Sequence, residues 1–257
     1  MTEWNAAGYV RISELQATMA AQMLGLLDLK GAERVLDIGC GDGRITTEIA
    51  LRVPHGSVIG VDASEKMVAF ARQHDGQANL RFEVADARAL PFQQEFDLIV
   101  SFNALHWIPQ QELPLCGIHA ALKPEGLAQL RLVPRGERKS LENVLDETRL
   151  SVRWARYFDN FHDPYLHLTP EEYAKLAEEN GLRVLDLRVH DQAWDFKSRE
   201  AFFAFGCVTF VEWTRRLPDA EKAAFINDVL DRYQAVATGD VFKFYQMDIR
   251  LGVRVIS

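Results

Sequence analysis

The chain has 257 residues, 48% of them hydrophobic and 26% charged, with a formal net charge of −8. That length accommodates one large α/β domain, or one domain with an inserted lobe. The acidic balance speaks against a general nucleic-acid-binding surface, because the densest basic group (Arg131, Arg135, Arg138, Lys139) is short and acidic residues follow it. The three cysteines, Cys40, Cys116 and Cys207, are scattered, which argues against a disulfide framework or a zinc site and for a reducing, cytoplasmic setting. A basic segment followed by an apolar one is missing from the N-terminus, so no signal peptide is expected. No apolar run reaches the roughly 18 residues of a membrane span.

Taken in chain order, the first 30 residues read as helical, with Leu15, Met19, Met23, Leu26 and Leu27 at helical spacing. A regular alternation follows. Residues 34–38 are a short apolar strand and residues 43–53 a helix. Residues 57–61 are a second strand ending in Asp62, and Ser64 is positioned to cap a helix over 65–73. Strands are expected at 80–85, ending in Asp86, and at 96–102, followed by Asn103. A helix over 111–122 stops at the turn signal Lys123-Pro124-Glu125-Gly126, and a fifth strand spans 127–133. Residues 136–178 break the rhythm: 141–158 reads as one helix rich in Arg, Trp and Tyr. Thr169-Pro170-Glu171-Glu172 then opens another helix that ends at Asn180-Gly181. Segments 182–189 and 244–255 are strand-like, the second expected antiparallel at the sheet edge. Between them lie two helices, 198–216 and 219–237.

Apolar strands alternating with helices predict a doubly wound, mostly parallel seven-stranded α/β sheet of Rossmann type. The organisation expected is a single domain over 1–257. It has an N-terminal cofactor-covering segment (1–30), a cofactor-binding core (31–135), a helical lid or substrate region (136–178 and 198–240) and C-terminal strands (182–190 and 244–255). Ligands bind such sheets at the carboxyl ends of the strands. Asp37, Asp62, Asp86 and Asn103 all fall at or just past those ends.

The strongest single signal is Val35-Leu36-Asp37-Ile38-Gly39-Cys40-Gly41-Asp42-Gly43, a glycine loop between a strand and a helix. Glycines there allow a tight turn and close approach of backbone to ligand. A dinucleotide fingerprint requires a further glycine where this chain has Arg44. Asp37 and Asp42 would also repel a pyrophosphate, whereas they suit a ligand carrying an ammonium and a sulfonium. An NAD(P)-dependent oxidoreductase is therefore the runner-up.

The loop, then Gly-Val-Asp-Ala-Ser at 60–64, Ala-Asp-Ala at 85–87, Phe-Asp-Leu-Ile-Val-Ser-Phe-Asn-Ala-Leu-His-Trp at 96–107 and Leu-Lys-Pro-Glu-Gly at 122–126, resembles the class I S-adenosylmethionine-dependent methyltransferases. Trp4, Tyr9, Ser13, Gln16 and the His106-Trp107 pair look like the trans-aconitate and malonyl-carrier O-methyltransferase branch. The resemblance implies that Asp37, Gly39, Cys40 and Gly41 lie around the methionine moiety of S-adenosylmethionine, and that Tyr9 and Gln16 close that end. It implies Asp62 for the ribose, Ala63 and Met67 beside ribose and adenine, and Asp86 and Ala87 for the adenine. Asn103, Ala104 and Trp107 are implied near the methyl group. Together these make the expected cofactor set.

His106, just past the fourth strand, is the candidate catalytic base if the nucleophile carries a proton. Trp154, Tyr157, Arg153 and Trp213 are the candidate substrate residues. Arg149, Arg153 and Arg156 at i, i+4 and i+7 would share one helix face. The expected activity is methyl transfer to a small molecule, a carboxylate or other small acidic metabolite being favoured by the branch. No metal, nucleic acid or membrane is expected as a partner, and the protein is a monomer or homodimer. A non-catalytic cofactor-binding protein is the other alternative.

Overall fold

The computed structural model describes residues 13–73 and 76–254, with side chains from residue 19 onward. Helix α1 (Ser13–Gly25) leads into β1 (Arg34–Ile38), α2 (Arg44–Arg52), β2 (Ser57–Asp62), α3 (Glu65–Arg72) and β3 (Leu80–Val84). Then come β4 (Phe96–Phe102), α4 (Glu112–Ala121), β5 (Leu122–Leu132), α5 (Leu141–Arg149), α6 (Pro170–Glu179) and β6 (Leu182–Asp195). The short helices α7 (Arg199–Thr209) and α8 (Val211–Thr214), then α9 (Asp219–Tyr233) and β7 (Val241–Val253), complete the described chain.

Among the described residues, seven strands form one sheet in the order β3-β2-β1-β4-β5-β7-β6. The first five run parallel and β7 is antiparallel to both neighbours. The inner parallel strands β1, β2 and β4 are mostly apolar and buried because helices cover both faces, whereas the edge strand β3 exposes Arg81 and Val84. One face packs Leu36, Ile99, Leu115 and Ile118 with Tyr173; the other packs Val35, Val58 and Val100 with Met23, Ile49 and Val68. Ser64 caps α3 by accepting from the Met67 N–H, as expected, and Thr169 opens α6 in a reciprocal capping box with Glu172.

Four expectations are corrected. Residues 123–126 do not separate α4 from β5. The strand begins at Leu122 and bulges there, so that Phe96 faces Leu122 but Leu98 faces Leu127. The helix expected over 141–158 ends at Arg149, and only a short 3₁₀ turn (Ala155–Tyr157) follows. The three arginines therefore share no face: Arg149 pairs with Asp146, Arg153 faces Glu221 and Asp228, and Arg156 donates to the Tyr157 hydroxyl. Residues 198–216 form two helices, because the chain turns at Phe210 between α7 and α8. Finally, β7 is the second strand from the edge, with β6 outside it.

That last arrangement matters for the site. Leu132, the last residue of β5, pairs with Met247, so residues 241–246 of β7 run past the carboxyl ends of the parallel strands. Pairing with β6 supports this extension as far as Asp195 and Val241. Phe242 and Phe244 are carried by it into a third apolar cluster with α5, α7, α8 and α9, whose centre is Trp154, Phe202, Trp213 and Phe225. A buried two-toothed pair, Arg131 Nε and Nη2 on the Asp248 carboxylate at 2.6 and 2.9 Å, spans β5 and β7 where they run side by side.

The other members of the basic group expected near residue 135 are also paired: Arg135 with Glu172, Arg138 with Asp191 and Lys139 with Glu147. No helix among the described residues is long and apolar enough to cross a membrane.

Candidate active site

Gly39 and Gly41 open the site. Both adopt left-handed backbone, with φ of 77° and 55°, a region that side chains other than glycine enter only with strain. A Cβ on Gly39 would stand 2.1 Å from the Ala104 Cβ, whereas one on Gly41 would meet nothing within 4 Å. Gly39 is thus dictated by contact between the β1 and β4 loops, and Gly41 leaves open space beside its backbone. The loop is anchored to β2: the Gly39 and Cys40 N–H groups both donate to the Val61 carbonyl, and the Gly41 N–H donates to Asp62 Oδ2 at 3.0 Å. Asp62 Oδ1 accepts from the Ser64 N–H.

These loops bound a cavity of about 520 Å³ at the carboxyl ends of the strands, within the range of small-molecule sites. On the glycine-loop side it is lined by Gly39, Gly41, Asp62, Ala63, Met67, Asp86, Ala87, Asn103, Ala104 and Trp107. All ten were expected from the sequence. Asp86 is held by Arg88, which makes bidentate contact at 2.6–3.0 Å and keeps the Asp86 carboxyl below its usual range. Asn103 takes φ of 56°, which asparagine tolerates better than most residues.

Other expected residues, among those described, are not on the cavity wall. Tyr9 lies outside the described residues, as does the side chain of Gln16. Asp37 is buried behind the loop, where it accepts from Thr46 Oγ1 at 2.7 Å. Cys40 is buried in the core between β1 and α2, and burial pushes its thiol pKa up. Asp42 turns away to accept from the Arg44 N–H at the start of α2. Trp154, Tyr157, Arg153 and Trp213 do not line the cavity either. Trp154 and Trp213 are fully buried in the helical cluster, Trp154 donating its ring N–H to Asp228. Tyr157 packs against the outside of that cluster, and Arg153 lies over the Trp154 ring with half its side chain in solvent.

The remaining lining comes largely from the region expected as a helical lid and from β7. Phe205, Val208, Phe210, Phe242 and Phe244 supply apolar surface; Glu142, Glu212 and Arg215 supply charge. One signal was available, since Glu212 is the one charged residue in the run from Phe202 to Trp213.

His106 lines the same cavity. It is buried, and burial lowers its pKa to about 3. The Val133 N–H points at its Nδ1 at 3.3 Å. A backbone N–H can only donate, so Nδ1 is unprotonated and the neutral ring carries its proton on Nε2. Its ring packs against Trp107 and Tyr165 at centroid distances of 5.7 and 5.1 Å.

The geometry accommodates a nucleoside with a cationic tail: open space at Gly41, and carboxylates on successive strand ends. Residues 35–126 match the family described as Methyltransferase domain. Over 252 residues the chain is 31% identical to trans-aconitate 2-methyltransferase of Delftia acidovorans, covering 91% of each chain. It belongs to the class I S-adenosylmethionine-dependent methyltransferases. Within them it falls in the trans-aconitate methyltransferase branch, and its cofactor is S-adenosylmethionine. Juvenile hormone acid O-methyltransferase of Bombyx mori is 31% identical over 166 residues, 62% of this chain and 60% of that one. The same fold is seen in phosphoethanolamine N-methyltransferase 2 of Haemonchus contortus, solved with S-adenosylmethionine. That likeness has a TM-score of 0.62 at 19% identity, over 92% of this chain and 53% of that one.

Asp37 gives this site a pH signature. Burial, opposed by the Thr46 hydroxyl and reinforced by the Asp62 charge, raises its carboxyl from 3.8 to about 7. Between those values the folded protein keeps a proton that the unfolded chain has lost, so stability falls as pH rises through that window. The full span is on the order of 4 kcal/mol. Asp37→Asn retains an oxygen for Thr46 and should give a flatter stability profile between pH 4 and 7 in urea titrations. A variant whose profile parallels the wild type would remove Asp37 as the source.

Proposed function

We propose that the methyltransferase esterifies a carboxylate of a small organic acid. The observation that carries this reading is the state of His106, a neutral imidazole whose Nδ1 already accepts from Val133. Such a ring serves as an Nε2–H donor and makes a poor proton acceptor at neutral pH. A carboxylate arrives already deprotonated and needs no base. The acceptor oxygen forms the O–CH₃ bond as the S–CH₃ pair leaves on sulfur; the carboxylate and sulfonium charges cancel, and no proton moves. The chain's own contribution is alignment and exclusion of water. Two relatives are named for acids, trans-aconitate and juvenile hormone acid.

The proposal includes the cofactor assignments. Gly39 and Gly41 take the methionine moiety, Asp62 the ribose, with Ala63 and Met67 beside it, and Asp86 and Ala87 the adenine. Asn103, Ala104 and Trp107 flank the methyl group. Their common position on one cavity wall supports this. Residues 136–178 and 198–240 act as a lid within a single domain, a reading supported by their shared core and by Glu142, Phe205 and Glu212 at the cavity. The paired surface arginines favour a partner other than nucleic acid, and unpaired cysteines favour a reducing, cytoplasmic setting. A monomer or homodimer is the expected assembly.

The test is methyl-labelled S-adenosylmethionine with a panel of carboxylic acids and amines. Label released by mild alkali marks a methyl ester; label on nitrogen or carbon survives. Ester formation with kcat/KM flat from pH 6 to 9 is expected. Alkali-stable product, or a limb requiring a base that titrates near neutrality, would overturn the esterification reading.

A further inference from the structure

We infer that the acceptor is a monocarboxylate with a largely apolar body, and that Glu212 selects against polycarboxylates. This rests on the esterification reading and narrows it. The starting point is the wall facing the glycine loop. Phe205, Val208, Phe210, Phe242 and Phe244 line it from α7, from the α7–α8 junction and from the overhanging end of β7. An apolar body buried there gains by leaving water, whereas a second carboxylate would lose its hydration against phenyl rings.

Neutral donors, rather than arginines, stand ready for a single carboxylate. His106 carries its proton on Nε2, since Nδ1 accepts from Val133. Tyr165 lines the same cavity, packs on the His106 ring, and has a buried hydroxyl with no hydrogen-bond partner among the described residues. Burial raises the pKa of that hydroxyl, so it stays an O–H donor. A buried hydroxyl without a partner is costly unless a ligand supplies one. Two neutral donors satisfy one carboxylate while the cofactor's sulfonium supplies the opposite charge.

The charged residues of this wall disfavour a second anion. Arg215 is already neutralised by Glu212, Nη2 to Oε2 at 2.5 Å. The other oxygen of Glu212, Oε1, is buried without a partner among the described residues. Burial raises the pKa of the Glu142 carboxyl and so favours its neutral form, and Asp163 is tied to His167 at 2.8 Å. A polycarboxylate such as trans-aconitate would bring further negative charge against Glu212, with no unpaired arginine among the described wall residues to meet it.

The test uses the full chain saturated with S-adenosylhomocysteine. Calorimetry measures binding of straight-chain acids from hexanoate to tetradecanoate, of decanedioate (the decanoate body with a second carboxylate), of trans-aconitate and of decylamine. The best monocarboxylate should bind roughly tenfold or more tightly than decanedioate or trans-aconitate. Glu212→Gln, which removes the negative charge and frees Arg215, should narrow that gap. Tyr165→Phe should weaken the monocarboxylate roughly tenfold and leave S-adenosylhomocysteine affinity unchanged. Tighter binding of either polyacid, or no binding by any monocarboxylate at millimolar concentration, would overturn the inference. If polyacids also yield alkali-labile methyl esters, the esterification reading survives that failure. Alkali-stable methylation of decylamine with no ester from any acid would remove both.

Discussion

Asp62→Ala is expected to lower affinity for S-adenosylhomocysteine by roughly two to three orders of magnitude, from the loss of hydrogen bonds to a charged acceptor. Under the proposed ribose assignment this carboxylate has two tasks. It lines the cavity where a ribose would lie, and it also holds the Gly41 and Ser64 N–H groups at 3.0 and 2.9 Å. A carboxylate offers about four lone-pair sites, enough to serve loop and ligand together. The alanine variant should therefore lose affinity by both routes and lose some stability, about 1–3 kcal/mol for each backbone donor left without its partner. Asp62→Asn keeps one acceptor oxygen and separates the two effects. If asparagine restores the melting temperature but not the affinity, the ribose contact dominates. Wild-type affinity in the alanine variant, measured by calorimetry, would end the ribose assignment.

The second large effect is a contrast between two glycines of one loop. Gly39→Ala must place a methyl 2.1 Å from the Ala104 Cβ on a backbone at φ 77°. Left-handed strain and overpacking together should cost about 2–5 kcal/mol of folding stability. Loss of cofactor binding in that variant is then secondary to a displaced β4 loop. Gly41→Ala meets no protein atom within 4 Å, so its stability cost should be limited to about 1–2 kcal/mol of backbone strain. Its methyl instead enters the open space that the proposed site gives to the methionine moiety, and affinity should fall while the fold persists. Urea titration and calorimetry on both variants decide the matter. A Gly39→Ala variant as stable as wild type would contradict the loop contact, and full affinity in the Gly41→Ala variant would mean that the cofactor passes elsewhere.

Much of the cofactor side was legible because its information is local. Each of its loops follows a short strand recognisable from its apolar or alternating pattern, and the strand end sets where the next polar residue lies. Asp62 and Asp86 could be ordered in space from their order in sequence, since parallel strands with crossover helices repeat one geometry. Asp37 and Asp42 show the limit of that reasoning. Both sit in the right loop, yet neither lines the cavity: Asp37 turns to Thr46 on α2, and Asp42 accepts from the backbone of Arg44. Which way a loop side chain turns depends on the donors near it, and composition does not report them.

The acceptor side was not legible. Helical spacing suggested a shared arginine face for Arg149, Arg153 and Arg156, but the helix ends at Arg149 and the three disperse to separate partners. The abundance of aromatics drew attention to Trp154 and Trp213. Large rings gain most from complete burial, and both became core. Smaller or less conspicuous residues reached the cavity instead, among them Val208, Glu212 and Phe244.

By itself the sequence determined the parallel core, the glycine loop, and the order of residues along the cofactor wall, because those follow from short-range patterns of apolar runs, caps and turns. Only the tertiary structure decided the wall proposed for the acceptor. That wall is assembled from α5, α7, α8 and the end of β7, segments far apart along the chain, and the face each presents is set by mutual packing. The decisive element is the extension of β7 beyond β5, aligned by antiparallel pairing around the buried Arg131–Asp248 contact. It carries Phe242 and Phe244 across the strand ends. No local pattern encodes that overhang, because it is the difference in length between two strands paired from opposite directions.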